Sequence, residues 1–225
     1  MAQNMPEVHG RLRGSMLQMV PEEIYGCTGI SIHGKRIKSI LFSTDVSVIR
    51  NTNADAIIAV YPFTPQSIIT RAIMTAADVP VLCGVGGGLT GGDRVSVLAI
   101  QAEEQGAAGV VLNAPTPDAT IVTVKKHLDI PIVVTVVNDK TDYESRIAAG
   151  AAIFNVAAAA HTAAIVADIR KNYPDFPIIA TGGPTPESIK ATVAAGANAI
   201  TWTPPSQAEI FAGVMAAYRK GDPHP

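Results

Sequence analysis

Three ionisable side chains stand where a proton could be moved. Asp45 follows the apolar run KSILFS that starts at Lys38, Asp139 follows PIVVTVV from Pro131, and His161 follows four alanines. A carboxylate or imidazole within hydrogen-bond reach of a substrate is the usual acid or base of an enzyme. Each has a second reading. Ser43-Thr44-Asp45 also spells a helix N-cap, Asp139 lies in a loop beside Lys140, and His161 stands either at a strand end or at the start of a helix. His9, His33, His127 and His224 fall in terminal or helical surroundings. Lys140 is the one lysine placed after a strand end, but Asp139 and Asp142 keep it charged and solvated, which disfavours a Schiff-base nucleophile.

Other groups are suited to binding. Residues 84–94 read GVGGGLTGGDR, with Gly86, Gly87 and Gly88 together. So many glycines lose entropy on ordering, which calls for left-handed turns, backbone amides aimed at an anion, or a moving lid. The spacing is that of neither a Walker loop nor a dinucleotide fingerprint. Gly182 and Gly183, in TGGPTPESIK, sit between an apolar strand pattern and a helix start, where free amides would take a phosphate or where the chain merely turns tightly. Thr203 and Ser206 supply hydroxyls in TWTPPS. Asn113, Asn138 and Asn155 end or nearly end three consecutive apolar runs; they would meet a polyhydroxyl substrate, or else close turns, as Asn often does. No His-x-His, HExxH or carboxylate cluster marks a metal site.

The elements that must position these groups follow a regular beat. Apolar runs begin at Lys38, Asp55, Pro80, Gly109, Pro131, Ala152, Pro177 and Asn198, each leading into a polar loop and a helical pattern. Nearly continuous apolar strands are covered on both faces, so the beat predicts βα units around a parallel sheet. Thr64-Pro65, Thr116-Pro117 and Thr185-Pro186 read as N-caps with Pro in the first turn, and Gly106, Gly150 and Gly196 as helix ends. Eight units in about 190 residues predict a single (β/α)8 TIM barrel over 38–225, with a doubly wound sheet as the alternative. The extension 1–37 is expected to hold a helix near 15–20 and a hairpin about Gly34, as a cap or a subunit contact. Active sites of such barrels lie at the C-terminal ends of the strands, where all the candidates above fall.

Bulk properties narrow the partners. With 225 residues, a net charge of −2 and no basic stripe, nucleic acid is not expected. No run has the length of a membrane span or the form of a leader, and Cys27 and Cys83 form no disulfide framework or zinc pattern, so a cytoplasmic chain is expected.

The stretch PIIATGGPTPESIKATVAAGANAITW, residues 177–202, resembles the seventh βα unit of the phosphate-binding (β/α)8 barrels, the ribulose-phosphate-binding-barrel-like group. The resemblance implies that Gly182 and Gly183 bind a substrate phosphate. The chain departs from the group after the eighth strand, where Pro204 and Pro205 remove two amide donors and leave Thr203 and Ser206 to replace them. It implies a small enzyme acting on a phosphorylated metabolite by acid–base chemistry of isomerase, epimerase or lyase type. A hydrolase of a small substrate and a non-catalytic ligand-binding barrel are the alternatives. No cofactor is evident; Mg2+ arriving with a phosphate and FMN stay open, although the basic residue usual in flavin sites is missing. Apolar helix faces point to a homo-oligomer.

Overall fold

The computed structural model describes Val8 and residues 17–223. Its barrel strands are β3 (Ser39–Phe42), β4 (Ala56–Ala59), β5 (Val81–Gly86), β6 (Gly109–Leu112), β7 (Ile132–Val136), β8 (Ile153–Val156), β9 (Ile178–Thr181) and β10 (Ala199–Trp202). All pair in parallel, and β10 closes on β3, giving a (β/α)8 TIM barrel. The helices are α1 (Val46–Arg50), α2 (Ser67–Ala76), α3 (Asp93–Glu104), α4 (Asp118–Lys125), α5 (Tyr143–Ala149), α6 (Thr162–Asn172), α7 (Pro186–Ala194) and α8 (Gln207–Lys220).

Alternation along each strand sorts the apolar residues into two cores. Leu41, Ile57, Val81, Val110, Ile132, Phe154, Ile178 and Ile200 face outward and join the helices in one cluster. Ile40, Ile58, Leu82, Val111, Val133, Ile153, Ile179 and Ala199 face inward and fill the barrel. The inner cluster also takes in Ile30, Ile32 and Ile37. These belong to a hairpin, β1 (Ile30–Ile32) and β2 (Lys35–Ile37), turning at His33 and Gly34, so the hairpin seals the end from which the strands start. What remains open is the opposite end, where the loops gather.

The local signals hold unevenly. Gly106, Gly150 and Gly196 each have positive φ after a helix, as expected. Thr185 caps α7 with Pro186 in the first turn, its hydroxyl accepting from the Ser188 amide. By contrast, α2 starts at Ser67 rather than near Pro65, because the Gln66 amide donates to Tyr61 Oη and the chain turns later. At α4 the Thr116 hydroxyl donates to the Asn113 carbonyl, so it closes the loop and leaves Pro117, in extended backbone, to flank the helix. The helix expected near 15–20 is absent from residues 17–20, where Gln18 bridges to Thr52; residues 15 and 16 lie outside the described residues. From there the chain runs as a short 3-10 helix, Glu22–Gly26.

Candidate functional site

The inward alternation carries polar side chains to the top of the barrel. Asn113, Thr135, Asn155, Thr181 and Thr201 continue the inward-facing series of their strands, and Thr135 pairs with Asn155 and Thr181 with Thr201 across the sheet. Thr135 Oγ1 donates to Asn113 Oδ1 at 3.2 Å, and Asn155 Nδ2 reaches Thr135 Oγ1 at 3.5 Å. Thr181 Oγ1 lies 3.4 Å from the Val156 carbonyl and from Thr162 Oγ1. Among the described residues two oxygens of this arc have no partner: Asn155 Oδ1 and Thr201 Oγ1 are buried and make no hydrogen bond. Their residues are only 8% and 6% exposed, so each orphan carries a full desolvation cost of about 1–3 kcal/mol. A native fold keeps such groups where something else will satisfy them.

Beside the arc lies a cleft of about 570 Å³, lined by Phe42, Thr44, Tyr61, Gly87, Gly88 and Asn113 among others. The glycine loop shapes its wall by sterics. Gly87 has φ +98°, and a Cβ there would fall 2.2 Å from the Asn113 carbonyl oxygen, so only glycine lets the loop reach the sixth strand. The Gly87 amide donates to the Thr90 carbonyl at 2.9 Å and the Gly87 carbonyl accepts from the Thr90 amide at 3.2 Å, which closes a tight turn. Gly86 likewise has no room for a side chain beside Val95 and Leu112, whereas Gly88 faces open space.

A second cleft, of about 730 Å³, is lined by Thr181, Gly183, Thr201, Trp202, Thr203 and Glu209 among others. It is the place expected for a phosphate; several of the donors beside it are engaged within the chain, while Thr201 Oγ1 on its wall has no partner among the described residues. The Gly182 amide donates to the Thr201 carbonyl within the sheet, and the Thr185 amide to Ser188 Oγ. Ser206 gives both its amide and its hydroxyl to the Glu209 carboxylate. That carboxylate, held below its ordinary range chiefly by the Ser206 hydroxyl, occupies the α8 N-terminus. Pro184, Pro186, Pro204 and Pro205 bring no amide at all. Gly182 is required for packing, since a Cβ would stand 2.8 Å from both Ile189 and Ile200, and Gly183 for its φ of +81°.

A third cleft, of about 520 Å³, brings two of the expected acid–base residues together. Asp139 and His161 line it with Asn138 and Asp168. Asn138 itself makes a turn, its Oδ1 accepting from the Lys140 amide at 3.0 Å, so it stands apart from the arc of Asn113 and Asn155. Close by, Tyr143 Oη is buried without a partner among the described residues, and burial first, then Asp168 and Asp139, push its pKa up. Asp45 sits elsewhere, as the N-cap of α1: its Oδ1 accepts from the Ser47 amide at 2.8 Å and the Ser47 hydroxyl at 2.6 Å. The Ser47 hydroxyl is the main reason its carboxyl is held below the ordinary 3.8.

Among the described residues no three His, Cys, Asp or Glu side chains gather as a metal site requires. The strand ends offer amides and hydroxyls in place of carboxylates, a donor set that does not fit a divalent cation held by the chain alone. Sequence reasoning missed Thr135, whose position two residues after Val133 in PIVVTVV was a readable signal of an inward-facing hydroxyl. It also missed Tyr143 and Asp168, which lie on helices and whose relation to the site depends on helix packing.

No family model matches the chain, and no curated protein resembles it at a significant level. Solved structures do. A phosphoenolpyruvate phosphomutase from Streptomyces platensis subsp. rosaceus is 16% identical, with TM-score 0.60 over 82% of this chain and 83% of its own. A phosphonopyruvate hydrolase in complex with oxalate and Mg2+ is 16% identical, with TM-score 0.60 over 83% and 84%. A 2,3-dimethylmalate lyase, described as a member of the PEP mutase/isocitrate lyase superfamily, is 14% identical, with TM-score 0.59 over 81% and 77%. At such identity these likenesses show that the chain shares the (β/α)8 fold of these enzymes.

Proposed function

We propose that the chain is a (β/α)8 enzyme acting on a small metabolite that bears a phosphate, phosphonate or carboxylate group, by acid–base chemistry of isomerase, mutase or lyase type. The observation that carries the reading is the pair of orphaned buried oxygens, Asn155 Oδ1 and Thr201 Oγ1, at the open end of the barrel. An amide oxygen only accepts, so the ligand that satisfies Asn155 brings a donor such as a hydroxyl. The printed names of the fold neighbours (a mutase, a hydrolase and a lyase) support small phosphonate or carboxylate substrates. Asp139 and His161 share a cleft at the same end and are assigned the proton transfers. Gly88 and Thr203, which line two of the clefts, are assigned to bound the substrate, and magnesium would enter with a phosphorylated substrate rather than in a site of the chain's own.

The test is turnover of phosphonopyruvate, phosphoenolpyruvate and substituted malates, with magnesium present, by the native chain and by Asp139→Asn, His161→Gln and Asp45→Asn. The last keeps the helix cap, because Asn caps as well as Asp, so any loss would be chemical. Loss of about 100-fold or more in kcat for Asp139→Asn or His161→Gln is expected of a positioned acid or base. Undiminished turnover in both would remove the assignment. Release of inorganic phosphate, with water consumed, would indicate the hydrolase alternative.

A second reading, a barrel that binds without turnover, is favoured by one observation: among the described residues no Asp, Glu, His, Lys or Arg lines the 570 Å³ cleft. Saturable binding with no product from any member of the panel would decide for it.

A further inference from the structure

The cleft of about 570 Å³ beside the arc has a chemistry of its own. Val60, Tyr61, Phe63 and Leu89 line it with Phe42 and Asn113, and among the described residues no charged side chain does. Its size is that of a small-molecule site, about 300–1,000 Å³. At its inner side Val60 packs on the apolar core within the barrel, and Asn113 is joined to the polar arc through Thr135. The cleft is therefore continuous with the arc and differs from it in being mainly apolar.

Several of its apolar side chains are held in water. Phe63 is 73% exposed and Leu89 88%, and Phe42 is exposed as well. A single exposed apolar residue needs no explanation, but a group of them around one cleft marks a binding surface. Leu89 does not hang from a loose loop. It is one of the two central residues of the turn that the Gly87 and Thr90 backbones close with a pair of hydrogen bonds, and Thr90 is buried. Gly88, the other central residue, supplies the positive φ of +60° that such a turn demands. On the neighbouring loop the Gln66 amide donates to Tyr61 Oη at 2.9 Å, and Pro62 and Pro65 stiffen the segment that carries Phe63. These apolar groups are thus ordered before any ligand arrives, which favours binding.

We infer that this cleft takes an apolar substituent of the substrate, a phenyl group or an alkyl chain of a few carbons, while the substrate's polar head lies over the arc. The inference rests on the reading that ligand binds at Asn155. A charged substituent finds no partner in this cleft, whereas apolar surface buried against Phe63 and Leu89 favours a carbon side chain. Substrate choice is therefore made in two places: hydrogen bonds at the arc fix the head, and the cleft selects the tail.

The test is an NMR titration of the full chain, reading the Asn155 side-chain amide, with 2-hydroxy acids of rising side-chain length: lactate, 2-hydroxybutanoate, 2-hydroxypentanoate and 2-hydroxyhexanoate, together with 3-phenyllactate. These probes carry the carboxylate and the hydroxyl donor proposed for the head. Affinity should rise about fourfold per methylene, or about 50-fold from lactate to 2-hydroxyhexanoate. In Phe63→Ser/Leu89→Ser the rise over the same series should be less than about tenfold. Both substitutions are at exposed positions, so the circular dichroism of the native chain should persist. A resonance that shifts with every member at one Kd throughout, or an equal rise in the double variant, overturns the proposal and leaves the arc as the binding site. No shift with any member removes the reading at the arc, and the proposal with it.

Discussion

Replacing Asn155 with leucine separates a binding role from a structural one, because the two predict opposite signs. In the free protein Asn155 contributes one bond at the limit of hydrogen-bond length, Nδ2 to Thr135 Oγ1 at 3.5 Å, and one buried oxygen without a partner. Losing that bond costs about 0.5 kcal/mol, and removing the unsatisfied oxygen returns about 1–3 kcal/mol. Thr135 keeps its donor bond to Asn113, so no new orphan donor is made. Leucine is close in size and stands over the inward-facing Ile153, so its extra apolar area adds to the gain. The net expectation is stabilisation of about 1 kcal/mol, or roughly 2–4 °C in Tm for a chain of this length. The assay is thermal unfolding without ligand, followed by the same ligand panel. Higher Tm together with lost ligand response is the signature of a site kept polar at the expense of stability. A Tm lowered by more than a few degrees would refute the reasoning, because it would mean that Asn155 is already satisfied in the free fold.

Three further outcomes follow from the same geometry. Asp45→Ala should cost about 1 kcal/mol of stability through loss of the α1 cap. Because the folded carboxyl titrates below its ordinary 3.8, that difference should be full above this value, shrink as the pH falls through it, and vanish below the folded pKa; urea titrations at a series of pH values check it. Gly182→Ala should destabilise by about 1–3 kcal/mol with no ligand present, since its Cβ meets Ile189 and Ile200 at 2.8 Å; an equally stable variant would contradict the packing role. Burial pushes the Cys27 thiol up to about 11 and the Cys83 thiol up to about 12, so neither should react with a thiol reagent at pH 8 until the chain unfolds.

The barrel was legible because eight apolar runs with glycine-ended helices leave few other parallel arrangements. What the sequence could not show was the destination of each donor. TGGPTPESIK looks like an anion cradle when read as a string, but Gly182 spends its amide in the sheet, Thr185 spends its own on Ser188, and Glu209 reaches Ser206 from the next helix. The Gly182 bond depends on a neighbouring strand in space, whereas the other two are capping boxes spanning three residues, a local signal the sequence reading passed over. Asn113 and Asn155 lie at one level, joined through Thr135, while Asn138 turns into its own loop. The start of α2 moved for a similar reason, since Tyr61, five residues away, holds the Gln66 amide.

The central claim is that ligand binds over the inward-facing polar arc at the open end of the barrel. It is tested most directly by following the Asn155 side-chain amide resonance by NMR while titrating phosphonopyruvate, substituted malates and inorganic phosphate. The account predicts that a binding ligand moves this resonance and that Asn155→Leu weakens the same ligand at least about tenfold, as loss of a buried hydrogen-bonding partner requires. A ligand that binds without moving it, and binds Asn155→Leu equally well, would place the site elsewhere.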